Sequence, residues 1–350
     1  MSDNKTTTTI SNYTSIFKTE TAADFVYEGV KNKTVLKGFV KLCRKTQKEM
    51  KSYLEKRLKS SGYKNVVNED GFIYAPGTIP VLVTAHMDTV HKEPVKDFYE
   101  YYDPVKETHK IHSPQGIGGD DRCGIYIILR LIDAGFKPYV LFCEDEEIGC
   151  VGSEMFCGTK HLEDLKDLKY LIQIDRHGNN DAVFYNCDNE DFTAFIENVT
   201  GYKEAWGTCS DISNLAPASG VAAVNLSCGY YHEHHLNEYV ILEEMAATAV
   251  AVGKLLNEAD TAEQYEYISA YRNRGYYSRY DDWYDDYDYY YKKYYKSEEK
   301  KSEKYFEALW MDNDVEKSEM VIATTYAEAV GKFLMDHPDL TFNRIIINEF

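Results

Sequence analysis

The sequence predicts an α/β fold with a mostly parallel central sheet flanked by helices, and three observations predict it. Apolar runs recur at Val81–Ala85, Pro138–Cys143, Tyr170–Ile174 and Val221–Cys228, the first of them rich in β-branched residues. Unbroken by polar alternation, such runs read as strands buried on both faces. Stretches with helical spacing lie between them, and strands that alternate with helices build a parallel sheet. Each run also empties into acids or histidines: His86 and Asp88, then Glu144 to Glu147, then Asp175, then Tyr230 to His235. Parallel strands set their carboxyl ends on one edge, so the four clusters should converge on one crevice. Scattered surface charge has no reason to keep that phase.

The elements follow in order. Residues 1–33 are polar and threonine-rich, and read as a tail without the apolar core of a signal peptide. An α/β domain is expected over 34–259. It opens with Leu36, Phe39, Val40, Cys43, Met50, Leu54 and Leu58 at helical spacing, one amphipathic helix closed near Gly62. Asn65–Tyr74 reads as a hairpin leading into the strand at Val81. Residues 92–115 look like a charged surface excursion whose His109 and His112 are solvated loop residues. Gly116 to Gly124 precedes a buried helix from Ile125, ended by Gly135. No Gly-Lys-Ser/Thr follows those glycines, which argues against a phosphate loop. Asp120 and Asp121 at that helix start either favour its dipole or face a cation. After Asp175, strands are expected at Ala182–Tyr185 and Phe192–Val199, and a helix over Glu238–Glu258.

Residues 260–304 are tyrosine and charge with few aliphatic residues, and read as a low-complexity linker. The competing reading is a surface for a protein partner, since tyrosine is good interface material. Residues 305–350 read as a small ββαβ module, with strands at Phe306–Trp310, Met320–Ala323 and Arg344–Ile347 and a helix over Thr325–Asp336.

The net charge of −19 argues against nucleic acid and anionic membrane surfaces as partners, since both need a basic face. No apolar run approaches the roughly 18 residues of a membrane span. The eight cysteines include no Cys-x-x-Cys pair and read as buried free thiols of a reducing, cytoplasmic compartment.

Two histidines and several carboxylates around one crevice, without cysteine ligands, suit two zinc-like ions bridged by a carboxylate. Such a pair polarises a carbonyl and acidifies a water, and a free carboxylate beside it moves the proton to the leaving amine. Adjacent Glu146 and Glu147 at a strand's end point in different directions, so one can bind metal while the other stays free. His-x-Asp at the end of a strand suits a metal ligand oriented by a second carboxylate.

Thr84-Ala85-His86-Met87-Asp88-Thr89, Gly118 to Gly124, Asp145-Glu146-Glu147-Ile148-Gly149, Asp175 and the last histidine cluster resemble, in that order, the di-zinc exopeptidases. That group includes peptidase T and the lidless zinc aminopeptidases, and the resemblance covers roughly residues 36–257. It implies that His86 and Asp175 bind one zinc, that Glu147 and a terminal histidine bind the other, and that Asp120 bridges them. It makes Glu146 the general base and Asp88 the residue that steadies His86. Among His232, His234 and His235 it favours His234, because the family's ligand precedes a glutamate by four residues and Glu238 answers that spacing. Manganese or cobalt could replace zinc. Arg122 and Cys123 depart from the Lys-Ala common in peptidase T. The short interval from Asp175 to His234 leaves no room for a lid domain, so Tyr230 or Tyr231 is expected to take the oxyanion role a lid would supply.

The function expected is an aminopeptidase-like exopeptidase acting on short peptides. The alternatives are an amidohydrolase or deacylase using the same machinery on a non-peptide amide, and a non-catalytic binding protein on a peptidase fold.

Overall fold

A computed structural model describes residues 34–270, 304–312, 315–323 and 345–349, with Phe333 and His337 between them. The expected N-terminal tail, the tyrosine-rich stretch from 271, and the helix over Thr325–Asp336, apart from Phe333, lie outside the described residues. The chain divides into two units, Met1–Asn273 and Arg274–Phe350.

In the first unit the strands are β1 (Val67–Glu69), β2 (Phe72–Ala75), β3 (Ile79–His86), β4 (Tyr99–Asp103), β5 (Thr108–His112), β6 (Pro138–Cys143), β7 (Tyr170–Arg176), β8 (Asp181–Val183), β9 (Lys203–Ala205), β10 (Ala223–Ser227), β11 (Tyr230–Tyr231) and β12 (Tyr239–Ile241). The helices are α1 (Thr34–Cys43), α2 (Gln47–Ser60), α3 (Gly119–Asp133), α4 (Val151–Cys157), α5 (Glu190–Thr200), α6 (Ile212–Ser219) and α7 (Leu242–Glu258). The main sheet has the order β1-β2-β6-β3-β7-β10-β8-β9. Its centre, β6-β3-β7-β10, is parallel throughout. These are the four apolar runs of the sequence, and as neighbours they deliver their carboxyl ends side by side.

Side chains alternate across a strand. In β3, Val81, Val83 and Ala85 enter one core, with residues of α1, α2, α3, α5 and α7, while Leu82 enters a second, with Phe156 of α4 and Ile212 and Leu215 of α6. Helices therefore cover both faces, as a parallel sheet requires. The interval from Asp175 to His234 is filled by β8, α5, β9, α6, β10 and β11, and no lid domain is inserted there.

Four local expectations are corrected. The helix expected from Leu36 to Leu58 is two, because Thr46 starts α2 with a capping box. Its side chain accepts from Glu49 N–H, and the Glu49 carboxylate accepts from Thr46 N–H. Phe192–Val199 is helical, not a strand. Asn189 caps it by accepting from Phe192 N–H, and residues 192, 195, 196 and 199 repeat at helical spacing toward the core. The excursion at 92–115 contains β4 and β5, which join β11 and β12 in a second sheet. His109 and His112 thus lie in a strand, and His109 Nδ1 is 2.6 Å from Glu243 Oε1.

The fourth correction concerns the linker expected from residue 260. Tyr265 N–H donates to Lys169 O, Ala222 N–H to Tyr265 O, and Tyr267 N–H to Gly220 O. Asp188 N–H donates to Ile268 O, and the Tyr265 ring packs on Phe192 and Phe195. This segment is docked on the first unit through its backbone and its aromatic side chains.

In the second unit β13 (Lys304–Asp312) is central, with β14 (Val315–Ala323) and β15 (Ile345–Glu349) antiparallel on either side. Among the described residues no helix is long and apolar enough to cross a membrane.

Candidate metal centre

His86, at the end of β3, is buried. Its Nε2 lies 2.8 Å from Asp120 Oδ1 and 3.4 Å from Asp175 Oδ1, and its Nδ1 lies 3.1 Å from Asp88 Oδ1. On the other side of Asp120, His234 Nε2 is 3.3 Å from Asp120 Oδ2 and 3.0 Å from Glu147 Oε2. Asp120 therefore stands between two sets of donors, one with His86 and Asp175 and the other with His234 and Glu147. Ligand atoms of His86, Asp120 and Glu147, and of His86, Asp121 and Asp175, lie within 4.8 Å of one another.

Buried carboxylates and one arginine fix this arrangement. Asp120 opens α3, and Glu238 accepts from Gly118 N–H at 2.8 Å and from Asp120 N–H at 2.9 Å. Glu238 also meets His91 Nε2 at 2.8 Å. Asp121 accepts from His86 N–H and from Gly124 N–H. A Cβ at Gly124 would sit 2.1 Å from Ile174 O, so glycine there lets α3 descend onto β7. The Arg122 guanidinium, also buried, donates to the carbonyls of Met87, Asp88 and Lys45 and fastens the chain just past β3. The Asp175 carboxylate accepts from Ser210 Oγ at 2.8 Å, Gln173 Nε2 at 3.1 Å and Tyr230 Oη at 3.3 Å.

His234 is reached through backbone of positive φ, +64°. Non-glycine residues there carry local strain, which the surrounding structure must hold in place. Of the three clustered histidines, His234 meets the carboxylates. The His232 ring instead packs edge-on against Tyr239, and His235 Nδ1 pairs with Glu233 O at 2.7 Å.

The charge balance of the crevice shows in its protonation. Burial alone would push the His86 ring down, but the carboxylates of Asp175, Asp120 and Asp88 hold it well above its ordinary range. Hydrogen bonds to Asp120 and Glu147 lift His234 to about 11. Burial works to raise Asp120, yet its pairing with His234 and His86 leaves it well below the usual carboxylate range. Burial and the charge of Asp120 push Asp175 up to about 7. Glu146 goes up to about 9, chiefly through burial, with Asp175, Asp211 and Asp120 adding repulsion that His86 only partly offsets. Negative charge is concentrated here beyond what the two histidines neutralise, which is the electrostatic condition for holding cations.

The donor set fits divalent cations on a further count. Glu147 Oε1 is buried without a hydrogen-bond partner, while Oε2 meets His234. A buried carboxylate oxygen left without a donor is costly unless something else coordinates it.

The structure thus brings His86, Asp120, Glu147, Asp175 and His234 together, with Asp88 and Glu146 beside them. The two tyrosines considered for an oxyanion role part company: Tyr230 reaches Asp175, whereas Tyr231 Oη donates to Glu244 at 2.6 Å. Sequence reasoning missed the structural work of Arg122, Ser210 and Glu238. Ser210 and Arg122 carry no local signal. Glu238 is read from the sequence as a spacing marker and as the start of a helix, whereas it lies buried just before β12, and α7 begins only at Leu242.

No family model matches the chain, and no curated protein matches it. Solved structures do. Aminopeptidase PepT from Bacillus cereus matches at a TM-score of 0.51 with 17% identity, over 65% of this chain and 98% of that one. A tripeptidase from Staphylococcus aureus matches at 0.51 with 13% identity, over 65% and 98%. At these identities the likeness speaks for architecture, and the chain carries the α/β fold of these two peptidases.

Proposed function

We propose that this chain is a metal-dependent exopeptidase, an aminopeptidase acting on short peptides. The observation that carries the reading is Asp120 placed between two histidine–carboxylate sets, with Glu146 next to them but outside both. His86, Asp175 and Asp120 would hold one divalent cation, zinc by the chemistry of these donors, and Glu147, His234 and Asp120 a second. When bound, such a pair supplies Lewis acidity to the scissile carbonyl and to a water.

The chain's own groups do the rest. Glu146 takes the proton of the attacking water on its carboxylate and returns it to the leaving amine. Its burial raises its proton affinity, so it keeps a proton until positive charge is set beside it, and then becomes a base able to give that proton back. Asp88 orients the His86 ring. Tyr230 and Ser210 hold the Asp175 carboxylate in one orientation, so that little reorganisation is left for the reaction.

Purified protein reconstituted with zinc, manganese or cobalt should bind close to two equivalents. It should cleave aminoacyl amides in preference to acetylated or glutamyl ones. Preference for acetylated amides would move the reading to a deacylase. Failure to bind metal at any reconstitution level would overturn it.

A further inference from the structure

A cavity of about 270 Å³ lies between the loop after β3 and the start of α2, and none of the five proposed metal ligands lines it. Arg122 does, although only 1% of it is exposed. A guanidinium carries five N–H donors. Arg122 Nη1 donates to the carbonyls of Met87 and Asp88 at 2.8 and 3.0 Å, and Nη2 donates to Lys45 O at 3.3 Å. Among the described residues, Nε–H and the second Nη2–H meet no acceptor, and no carboxylate pairs with the group. An arginine this deeply buried is rarely left without an anion.

Two further features set the sign of the cavity. The 14-residue helix α2 begins at it, through Thr46 and Gln47. Thr46 takes the N–H groups of Glu49 and Met50, whereas those of Gln47 and Lys48 meet no acceptor among the described residues. Free N–H groups at the start of a helix favour negative charge. Lys45 and Lys92 also line the cavity. The two acids that reach it are already engaged. Glu93 pairs with Lys96, and Asp88 serves His86 and the N–H groups of Glu146 and Glu147. In a chain of net charge −19, this is a cationic recess.

We propose that this cavity binds a small oxyanion, phosphate or a carboxylate, with Arg122 as its anchor. Both ions carry oxygens spaced to accept two N–H groups of one guanidinium. The volume is at the small end for a ligand site, which fits an ion of a few heavy atoms with water and not a peptide. The ion neutralises the buried charge of Arg122. It also steadies the hold of Arg122 on the carbonyls of Met87 and Asp88, just past β3. The site does not depend on the exopeptidase reading.

Calorimetry tests this by titrating inorganic phosphate, and separately acetate, into the full chain, once as purified and once after chelation. One saturable site per chain is expected for at least one of the two anions in both states, with a higher melting temperature at saturation. Phosphate alone assigns the site to phosphates, and acetate alone to carboxylates. Arg122→Met should abolish binding. Lys92→Glu, which changes an exposed edge of the cavity, should weaken it on the order of tenfold or more, and it decides the matter if Arg122→Met fails to fold. No binding of either anion, binding that chelation removes, or binding that Lys92→Glu leaves unchanged overturns the proposal.

Discussion

Asp88 Oδ1 lies 3.1 Å from His86 Nδ1, and the same carboxylate accepts the backbone N–H groups of Glu146 and Glu147 at 3.1 and 3.0 Å. One side chain therefore sets both the ring at the end of β3 and the turn after β6. Asp88→Asn keeps the volume but leaves one oxygen to serve three donors. Metal affinity should fall on the order of 10- to 100-fold, as when a carboxylate behind a histidine ligand is lost. Competition with a chelator measures it, and an affinity equal to wild type would show that Asp88 orients nothing.

Glu146 and Glu147 are neighbours in sequence with different surroundings. Glu147 meets His234, whereas Glu146 meets the Cys150 thiol. Glu146→Gln should keep both metal equivalents and lose turnover by on the order of 10²-fold or more in kcat. Glu147→Gln should weaken one metal equivalent. The opposite pattern in metal analysis would exchange their roles.

The architecture was legible because one signal repeated. Four apolar runs each ended in charge, and the sheet order β6-β3-β7-β10 makes those ends adjacent. What escaped was decided by partners distant in sequence. Phe192–Val199 has enough β-branched and aromatic residues to read as a strand until the Asn189 cap is weighed. Glu238 holds Gly118 and Asp120 across more than a hundred residues, and no local pattern announces that contact. Tyr265 looks like low-complexity sequence, yet it finds Phe192 and Phe195 only in the folded chain.

Without metal, His86 and His234 are both held protonated by the carboxylates around them. A cation can take a ring nitrogen only after its proton leaves. Binding near neutral pH should therefore release protons, and apparent affinity should rise with pH. The sign for stability is opposite in the metal-free chain. A histidine with a raised folded value stabilises fully below its unfolded value of about 6.5, and that stabilisation fades as pH rises toward the folded one. Calorimetry in two buffers of different ionisation enthalpy counts the protons. A count of zero at pH 7 would mean that the rings are already neutral.

The last prediction separates two truncations. Every residue of the proposed centre precedes Glu258, so a chain ending there would keep all the chemistry if the following segment were only a linker. It is more than that. Residues 265–268 exchange backbone hydrogen bonds with Lys169, Asp188, Gly220 and Ala222, at the starts of β7 and β10 and ahead of α5. Losing them uncovers the Phe192 and Phe195 rings and strands buried backbone groups, each costing on the order of 1–3 kcal/mol. The strands so exposed carry Asp175 and lead to His234. A chain ending at Ala270 should therefore retain metal binding and most of the thermal stability of the first unit. A chain ending at Glu258 should melt lower or fail to stay soluble. Thermal melts of the two, with and without zinc, decide it. Equal melting temperatures would show that the 265–268 segment contributes nothing to the strands beneath it.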